Sequence, residues 1–241
     1  MSKTKNAAII VAAGKGLRMK AHKPKQFMPL SQQPILRYTL IPFIQCNSIH
    51  EIIVVVPESY IEECTHDILK PLTDDILHTE KKLQCIEGGA RRQDSVFNGL
   101  QAVTGQVNIV VIHDGVRPFI KSSDISQLIS QAREKKAVIT GIKPRDTVKL
   151  VDQNHYIKQS IDRNCLQMAQ TPQAFSYELI KRAHEYGQKE RLDVTDDAML
   201  IEHMGEKVFV ASGHSMNIKI TTPDDLLLAQ AILPLWINER P

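Results

Sequence analysis

At 241 residues, with 42% apolar and 24% charged side chains, the chain is long enough for one large domain or two small ones. Its ordinary globular composition excludes a disordered or collagen-like chain, and no apolar run approaches the ~18 residues of a membrane helix. The net charge of only +3 hides an asymmetry, because residues 1–50 hold every one of their charges as Lys or Arg and the remainder is net acidic. A local positive field concentrates anionic ligands. Nucleic acid is disfavoured by the acidic remainder and by the lack of an aromatic-and-basic pattern. A small phosphorylated ligand fits better, since the basic residues cluster around glycines; a solvated basic surface is the bland alternative.

Along the chain, Lys3 and Lys5 precede an apolar stretch at 7–13 that superficially looks like an export signal. Lys15, Arg18 and Lys20 follow at once, so a short buried strand is the better reading. Ile- and Val-rich runs at 7–12, 52–56, 83–86, 109–112 and 137–142 read as buried strands. Helices are expected between them at 34–45, 58–69 and 92–103. A further helix is capped by Ser122 or Ser123, with Ile125, Leu128, Ile129 and Ala132 on one face. Strands alternating with helices imply an α/β, Rossmann-like, mainly parallel twisted sheet covered on both faces. Runs at 147–151 and 156–161, joined by the polar turn Asp152-Gln153-Asn154-His155, read as a protruding β-arm at about 146–162. Helices near 176–187 and 195–203 and a strand near 208–211 follow. Thr222-Pro223-Asp224-Asp225 then opens a last helix, with Thr as cap, Pro at the first position and acids in the first turn. Without repeats or linkers, residues 1–241 read as one domain. The four cysteines show no CxxC pairing, so neither a zinc site nor a disulfide framework is indicated, and they suit a reducing cytoplasm. The nine histidines lack metal-ligand spacing and read as surface or turn residues.

Ile9-Ile10-Val11-Ala12-Ala13-Gly14-Lys15-Gly16-Leu17-Arg18-Met19 is a strand running into a glycine turn whose backbone N–H groups can approach a phosphate chain. It lacks the GxxxxGK[ST] of a Walker A loop. A dinucleotide fingerprint would need glycine at Met19 and an acid near residue 30, which disfavours a nicotinamide-dependent oxidoreductase. With Pro24-Lys25-Gln26 following, the stretch resembles the signature of nucleotidyltransferases that use a nucleoside triphosphate and release pyrophosphate. Arg18 and Lys25 could then converge on the α-phosphate, where charge accumulates during in-line displacement.

His113-Asp114-Gly115-Val116-Arg117-Pro118-Phe119 sits where a strand ends, the place ligands occupy in a parallel sheet. Asp114 could share a magnesium ion with substrate phosphates, or pair with Arg117 and cap the turn. Further phrases are Gly88-Gly89-Ala90-Arg91-Arg92-Gln93-Asp94-Ser95-Val96, Arg145-Asp146-Thr147-Val148-Lys149, Gln170-Thr171-Pro172-Gln173-Ala174-Phe175, Thr195-Asp196-Asp197-Ala198 and Asn217-Ile218-Lys219-Ile220-Thr221-Thr222-Pro223-Asp224-Asp225-Leu226. From Ala7 to about Ala231, in order, they resemble the methylerythritol phosphate cytidylyltransferase family of the non-mevalonate isoprenoid pathway.

The resemblance implies CTP held by Ala12, Ala13 and Gly14, with Gly89, Ser95 and Gly115 in the nucleotide site and Lys25 on the phosphates. It implies that Arg18 and Lys25 stabilise the transition state and that Asp114 holds Mg2+. Arg163 and Lys219 would grip the acceptor phosphate, and Arg117, Thr147, Thr171 and Thr195 would line the same pocket. Taken singly, the three threonines read first as turn or cap residues. The resemblance also implies a homodimer formed through the arm, with Thr147 and Arg163 near a shared site. Partners are then CTP and a polyol phosphate, without nucleic acid or membrane. Two departures are visible: Ala90 stands where many relatives carry an acid, and Val116 replaces a small residue. The latter form also resembles ribitol phosphate cytidylyltransferases, the nearest alternative.

Overall fold

A computed structural model describes residues 5–14, 16, 19, 23–74 and 81–238, so the expectations for Lys15 and Arg18 lie outside the described residues. Strand β1 (Lys5–Val11) is followed by a two-residue ladder of β2 (Pro29–Leu30) and β3 (Gln33–Pro34), which leads into α1 (Ile35–Gln45). Next come β4 (Glu51–Val56), β5 (Lys82–Glu87), α4 (Arg92–Ala102), β6 (Val107–Asp114), α5 (Ser122–Lys135) and β7 (Ala137–Ile142). Between β4 and β5 the helical run is broken into a 3-10 turn (Glu58–Tyr60), α2 (Ile61–Glu63), a π-helix (Cys64–Leu69) and α3 (Lys70–Asp74), where one helix was expected. The arm is a separate hairpin of β8 (Val148–Val151) and β9 (Ile157–Ile161), and its turn is tied by Asp152 Oδ1, which accepts the Asn154 and Tyr156 N–H groups at 2.9 Å each. Then follow β10 (Met168–Ser176), α6 (Tyr177–Lys189), α7 (Asp197–His203), β11 (Phe209–Ser212) and α8 (Pro223–Asn238).

The main sheet has the order β11-β7-β10-β6-β1-β4-β5, and only β10 runs antiparallel to its neighbours. Its central strands are apolar along their whole length because both faces are covered. Ala8, Ile10, Ile52 and Val54 face the layer that holds α1 and α5. Ala7, Ile9, Ile53 and Val55 face the opposite layer of α4, α6 and α7. A third cluster joins Leu30, Ile35, Val116 and Phe119 to Trp236 of α8, whose ring meets Phe119 edge-on with centroids 5.9 Å apart. The last helix starts as expected: Thr222 Oγ1 accepts the Asp225 N–H at 3.3 Å, while Asp225 Oδ2 accepts the Thr221 and Thr222 N–H groups at 2.8 Å.

Three expectations are corrected. Strand β10 was not foreseen, because Pro172 argues against a central strand; the ladder accommodates it by breaking register between Gln170 and Gln173. Helix α5 is capped at Lys121 with no side-chain cap bond, and Ser122 is its first residue rather than its cap. The histidines are not all at the surface, since His113 and His184 are buried.

Candidate active site

The parallel strands bring their carboxyl ends to one edge of the sheet, and β10, running the other way, brings its amino end there. At that edge lies a cavity of about 680 Å³, lined among others by Ala12, Ala13, Gly14, Lys25, Gly89, Ser95, Asp114 and Lys219. Sequence positions more than 200 residues apart thus meet, as the motif reading required.

The nucleotide side of the cavity is made of backbone held at close range. Gln26, fully buried, donates through Nε2 to the Ala12 carbonyl and, at 3.2 Å, to the Gly14 carbonyl, so a side chain fixes the first turn of the glycine loop. Gly88 is required by contact: a Cβ there would lie 2.3 Å from Ala13 Cβ. Ser95 Oγ accepts the Gly89 N–H at 3.1 Å and donates to the Arg91 carbonyl at 3.1 Å, pinning the loop that enters α4. Asp94 closes that entrance, its Oδ2 accepting the Arg91 N–H at 3.0 Å. Gly115 lies behind the lining, where a Cβ would come within 2.7 Å of Ala12 Cβ. Lys25 is only 9% exposed, more buried than the sequence suggested. The reason is its place in a 3-10 turn whose three residues are all buried.

On the other side Asp114 ends β6 amid three cations. Arg92 Nε reaches its Oδ1 at 3.2 Å, and Lys219 Nζ and Arg117 Nε reach its Oδ2 at 2.9 and 3.4 Å. Burial alone would raise the Asp114 carboxyl, but the Arg92, Lys219 and Arg117 charges outweigh it and hold the group well below the usual carboxylate range. It is therefore ionised at neutral pH. Asp114 pairs with Arg117, and it also faces the cavity. Beneath it, the Thr171 hydroxyl accepts the Asp114 N–H at 3.0 Å and lies 3.0 Å from His113 Nδ1. Burial lowers the His113 pKa to about 4, so the ring is neutral, and a proton on Nε2 lets it donate to the Arg117 carbonyl at 3.0 Å. Arg117 in turn donates from Nη1 to the Asn217 carbonyl at 2.8 Å.

Not every expected residue reaches the cavity. Arg117 and Thr171 are buried behind Asp114, and Thr195 is exposed just before α7. Thr147 lies at the start of the exposed arm and Arg163 in the 3-10 turn just after it (Arg163–Cys165), where Arg163 Nη1 donates to the Arg145 carbonyl at 2.8 Å. Within one chain, none of these five lines the cavity. Conversely, Gln26 and Arg92 lie within the motifs, yet the motifs do not display their contacts, which run to Ala12 and Asp197. Only the three-dimensional neighbours of each show what it does.

A family model described as 2-C-methyl-D-erythritol 4-phosphate cytidylyltransferase matches residues 6–234. The chain belongs to that family. A relative of the same description from Clostridium botulinum (strain 657 / Type Ba4) is 43% identical over 230 residues, covering 95% of this chain and 98% of the relative. Among solved structures, a 4-diphosphocytidyl-2C-methyl-D-erythritol synthase from Anaerococcus prevotii superposes with a TM-score of 0.82 at 35% identity, over 96% of this chain and 99% of that one. The 2-C-methyl-D-erythritol 4-phosphate cytidylyltransferase of Francisella tularensis gives 0.77 at 28% identity, over 95% and 99%. Family membership makes the chain an enzyme, a nucleotidyltransferase, and the ribitol phosphate and oxidoreductase alternatives are not favoured. Among the described residues no helix is long and apolar enough to cross a membrane.

Proposed function

We propose that the cavity transfers the cytidylyl group of CTP to the phosphate of 2-C-methyl-D-erythritol 4-phosphate. The products are 4-diphosphocytidyl-2-C-methyl-D-erythritol and pyrophosphate, in the non-mevalonate isoprenoid pathway. The observation that carries this reading is the single cavity joining the glycine loop to the cation-ringed Asp114. A phosphate monoester is largely dianionic at neutral pH, its second pKa being about 6, so the chemistry needs no catalytic base. One acceptor oxygen attacks the α-phosphorus of CTP, and the bond to the β-phosphate oxygen breaks as pyrophosphate leaves. The work left to the protein is to position two polyanions that repel each other and to stabilise charge as it moves.

In this reading Ala12, Ala13 and Gly14 receive the triphosphate, with Gly89 and Ser95 on the cytidine side and Gly115 keeping the floor low. Lys25 and Arg18 stabilise the charge that builds on the α-phosphate. Lys219 and Arg163 grip the acceptor phosphate. Arg117, Thr147, Thr171 and Thr195 shape the acceptor side directly or by supporting its walls. Because Arg163 and Thr147 sit at the base of the arm, they reach a cavity most simply across a two-fold dimer, which we include in the proposal. The donor set suits Mg2+: an ionised carboxylate faces the cavity, and magnesium is commonly held by one or two carboxylates with substrate phosphates and waters supplying the rest. Asp114 would hold the ion, which when bound neutralises phosphate charge and orients the chain of phosphates. A reducing cytoplasm suits the four free cysteines.

The reading is tested by following pyrophosphate release from CTP, Mg2+ and methylerythritol phosphate. Release that depends on all three is expected; release without the acceptor, or none with it, would overturn the assignment.

A further inference from the structure

Beside the cavity lies a relay of contacts whose inner members, Asp197 and His184, have no part in the reaction proposed above. Arg92, the first residue of α4, lines the cavity and divides its guanidinium between two carboxylates. Its Nε reaches Asp114 at 3.2 Å and its Nη1 reaches Asp197 Oδ2 at 2.8 Å, while Nη2 is buried with no hydrogen-bond partner among the described residues. Asp197, the first residue of α7, is 0% exposed. Its other oxygen, Oδ1, meets His184 Nε2 of α6 at 3.1 Å, and His184 is itself 3% exposed. Neither Asp197 nor His184 lines the cavity. Their hydrogen bonds lead to it through Arg92.

A guanidinium beside a carboxylate prefers a bidentate fork, with two parallel N–H···O bonds. Freed from Asp197, Arg92 would turn a second nitrogen onto Asp114, gaining a partner for a buried donor and covering the carboxylate that faces the cavity. Asp197 competes for the guanidinium and keeps it to one contact. His184 then keeps the Asp197 carboxylate from rotating, since an oxygen that accepts a hydrogen bond in a packed core has one place to be. We propose that Asp197 and His184 are positioning residues. They hold Arg92 to a single contact with Asp114 and so keep Asp114 presented to the substrates. The inference rests on the proposed function in that Asp114 must serve the reaction.

The test is a double-mutant cycle with a structural readout. Asp197→Asn is expected to lower kcat by about 10-fold or more, with KM for CTP within about 3-fold of the parent. In an Arg92→Met background the same change should cost less than about 2-fold further, because the residue through which it acts is gone. Equal losses in both backgrounds, or an unchanged kcat with only a lower Tm, would overturn the proposal. Should Asp197→Asn fail to fold, His184 carries the test. His184→Leu should lower kcat and His184→Gln, which retains an N–H donor, should restore most of it; equal effects of the two would count against the relay. In the same samples the Arg92 Nε–H resonance, assigned by its loss in Arg92→Met, should be sharp in the parent and broadened or shifted in Asp197→Asn. An unchanged resonance would contradict the geometry whatever the activity. A parent that releases no pyrophosphate would sink the proposed function and leave this resonance to decide the relay.

Discussion

At the scale of single residues, the cavity presents fixed charge: Lys25, Arg92, Asp114 and Lys219 all line it. Lys25 is held in a buried turn beside the glycine loop, so the role proposed for it would be exercised in a drier setting than a surface lysine has. Lys25→Met keeps the stem and removes the charge, so kcat should fall on the order of 10²-fold while Tm moves little. Steady-state kinetics with a melting curve separates the two, and a normal kcat with only a raised KM would limit Lys25 to ground-state binding. Asp114→Asn leaves Arg92, Arg117 and Lys219 facing a neutral amide. Activity should fall and the Mg2+ concentration needed for half-maximal rate should rise; an unchanged magnesium dependence would confine Asp114 to a structural role. Lys25 and Asp114, singled out by their motifs, do line the cavity, because a motif displays its own residues' chemistry. The motifs assign nothing to Gln26 and Arg92, whose partners Ala12 and Asp197 lie 14 and 105 residues away along the chain.

At the scale of elements, the sheet strands with uninterrupted apolar runs were legible, since burial on both faces leaves a plain hydrophobic signature, as in β1 and β4. Strand β10 was hidden by Pro172 and by polar residues that are buried for a reason sequence cannot display: Thr171 and Gln173 bond to His113 and Asp196. The packing of α4 on β1 gives a prediction with opposing effects. Gly99→Ala gains roughly 1 kcal/mol of helix propensity, but its Cβ would lie 2.6 Å from Ile9 Cγ2, and overpacking a tight core typically costs ~1–3 kcal/mol. The collision should win, lowering Tm by several degrees in a thermal melt; a raised Tm would show that Ile9 yields easily. The buried Asp197 sets an acid dependence. Burial alone would raise its carboxyl, yet Arg92 and the His184 hydrogen bond outweigh this and lower it below the ordinary 3.8. A depressed folded pKa means that the unfolded chain binds the proton first, so this stabilisation is present above 3.8 and lost as pH falls through the folded value. Calorimetry should find the parent's Tm dropping more steeply below that pH than the Tm of Asp197→Asn; parallel curves would contradict the assignment.

At the scale of the whole molecule, the arm and the acceptor pocket belong to one question. The hairpin leaves Leu150, Tyr156 and Ile157 exposed at 50%, 73% and 62%, which a two-stranded ribbon in water does not support on its own. Deleting residues 151–158 should give monomers with little activity, read by light scattering and pyrophosphate release together; a fully active monomeric product would defeat the dimer. The central claim is that the cavity is built for cytidylyl transfer to methylerythritol phosphate. Arg163 and Lys219 would hold any polyol phosphate, so selection falls to groups along the carbon chain. There a branching methyl is worth only about 1–3 kcal/mol, whereas stranding a buried hydrogen-bonding group costs more. Measuring kcat/KM for methylerythritol phosphate and ribitol phosphate at the same CTP and Mg2+ tests this most directly. A preference for methylerythritol phosphate of at least about 10²-fold is expected, and a preference for ribitol phosphate would contradict the account and make Val116 the residue that decides the acceptor.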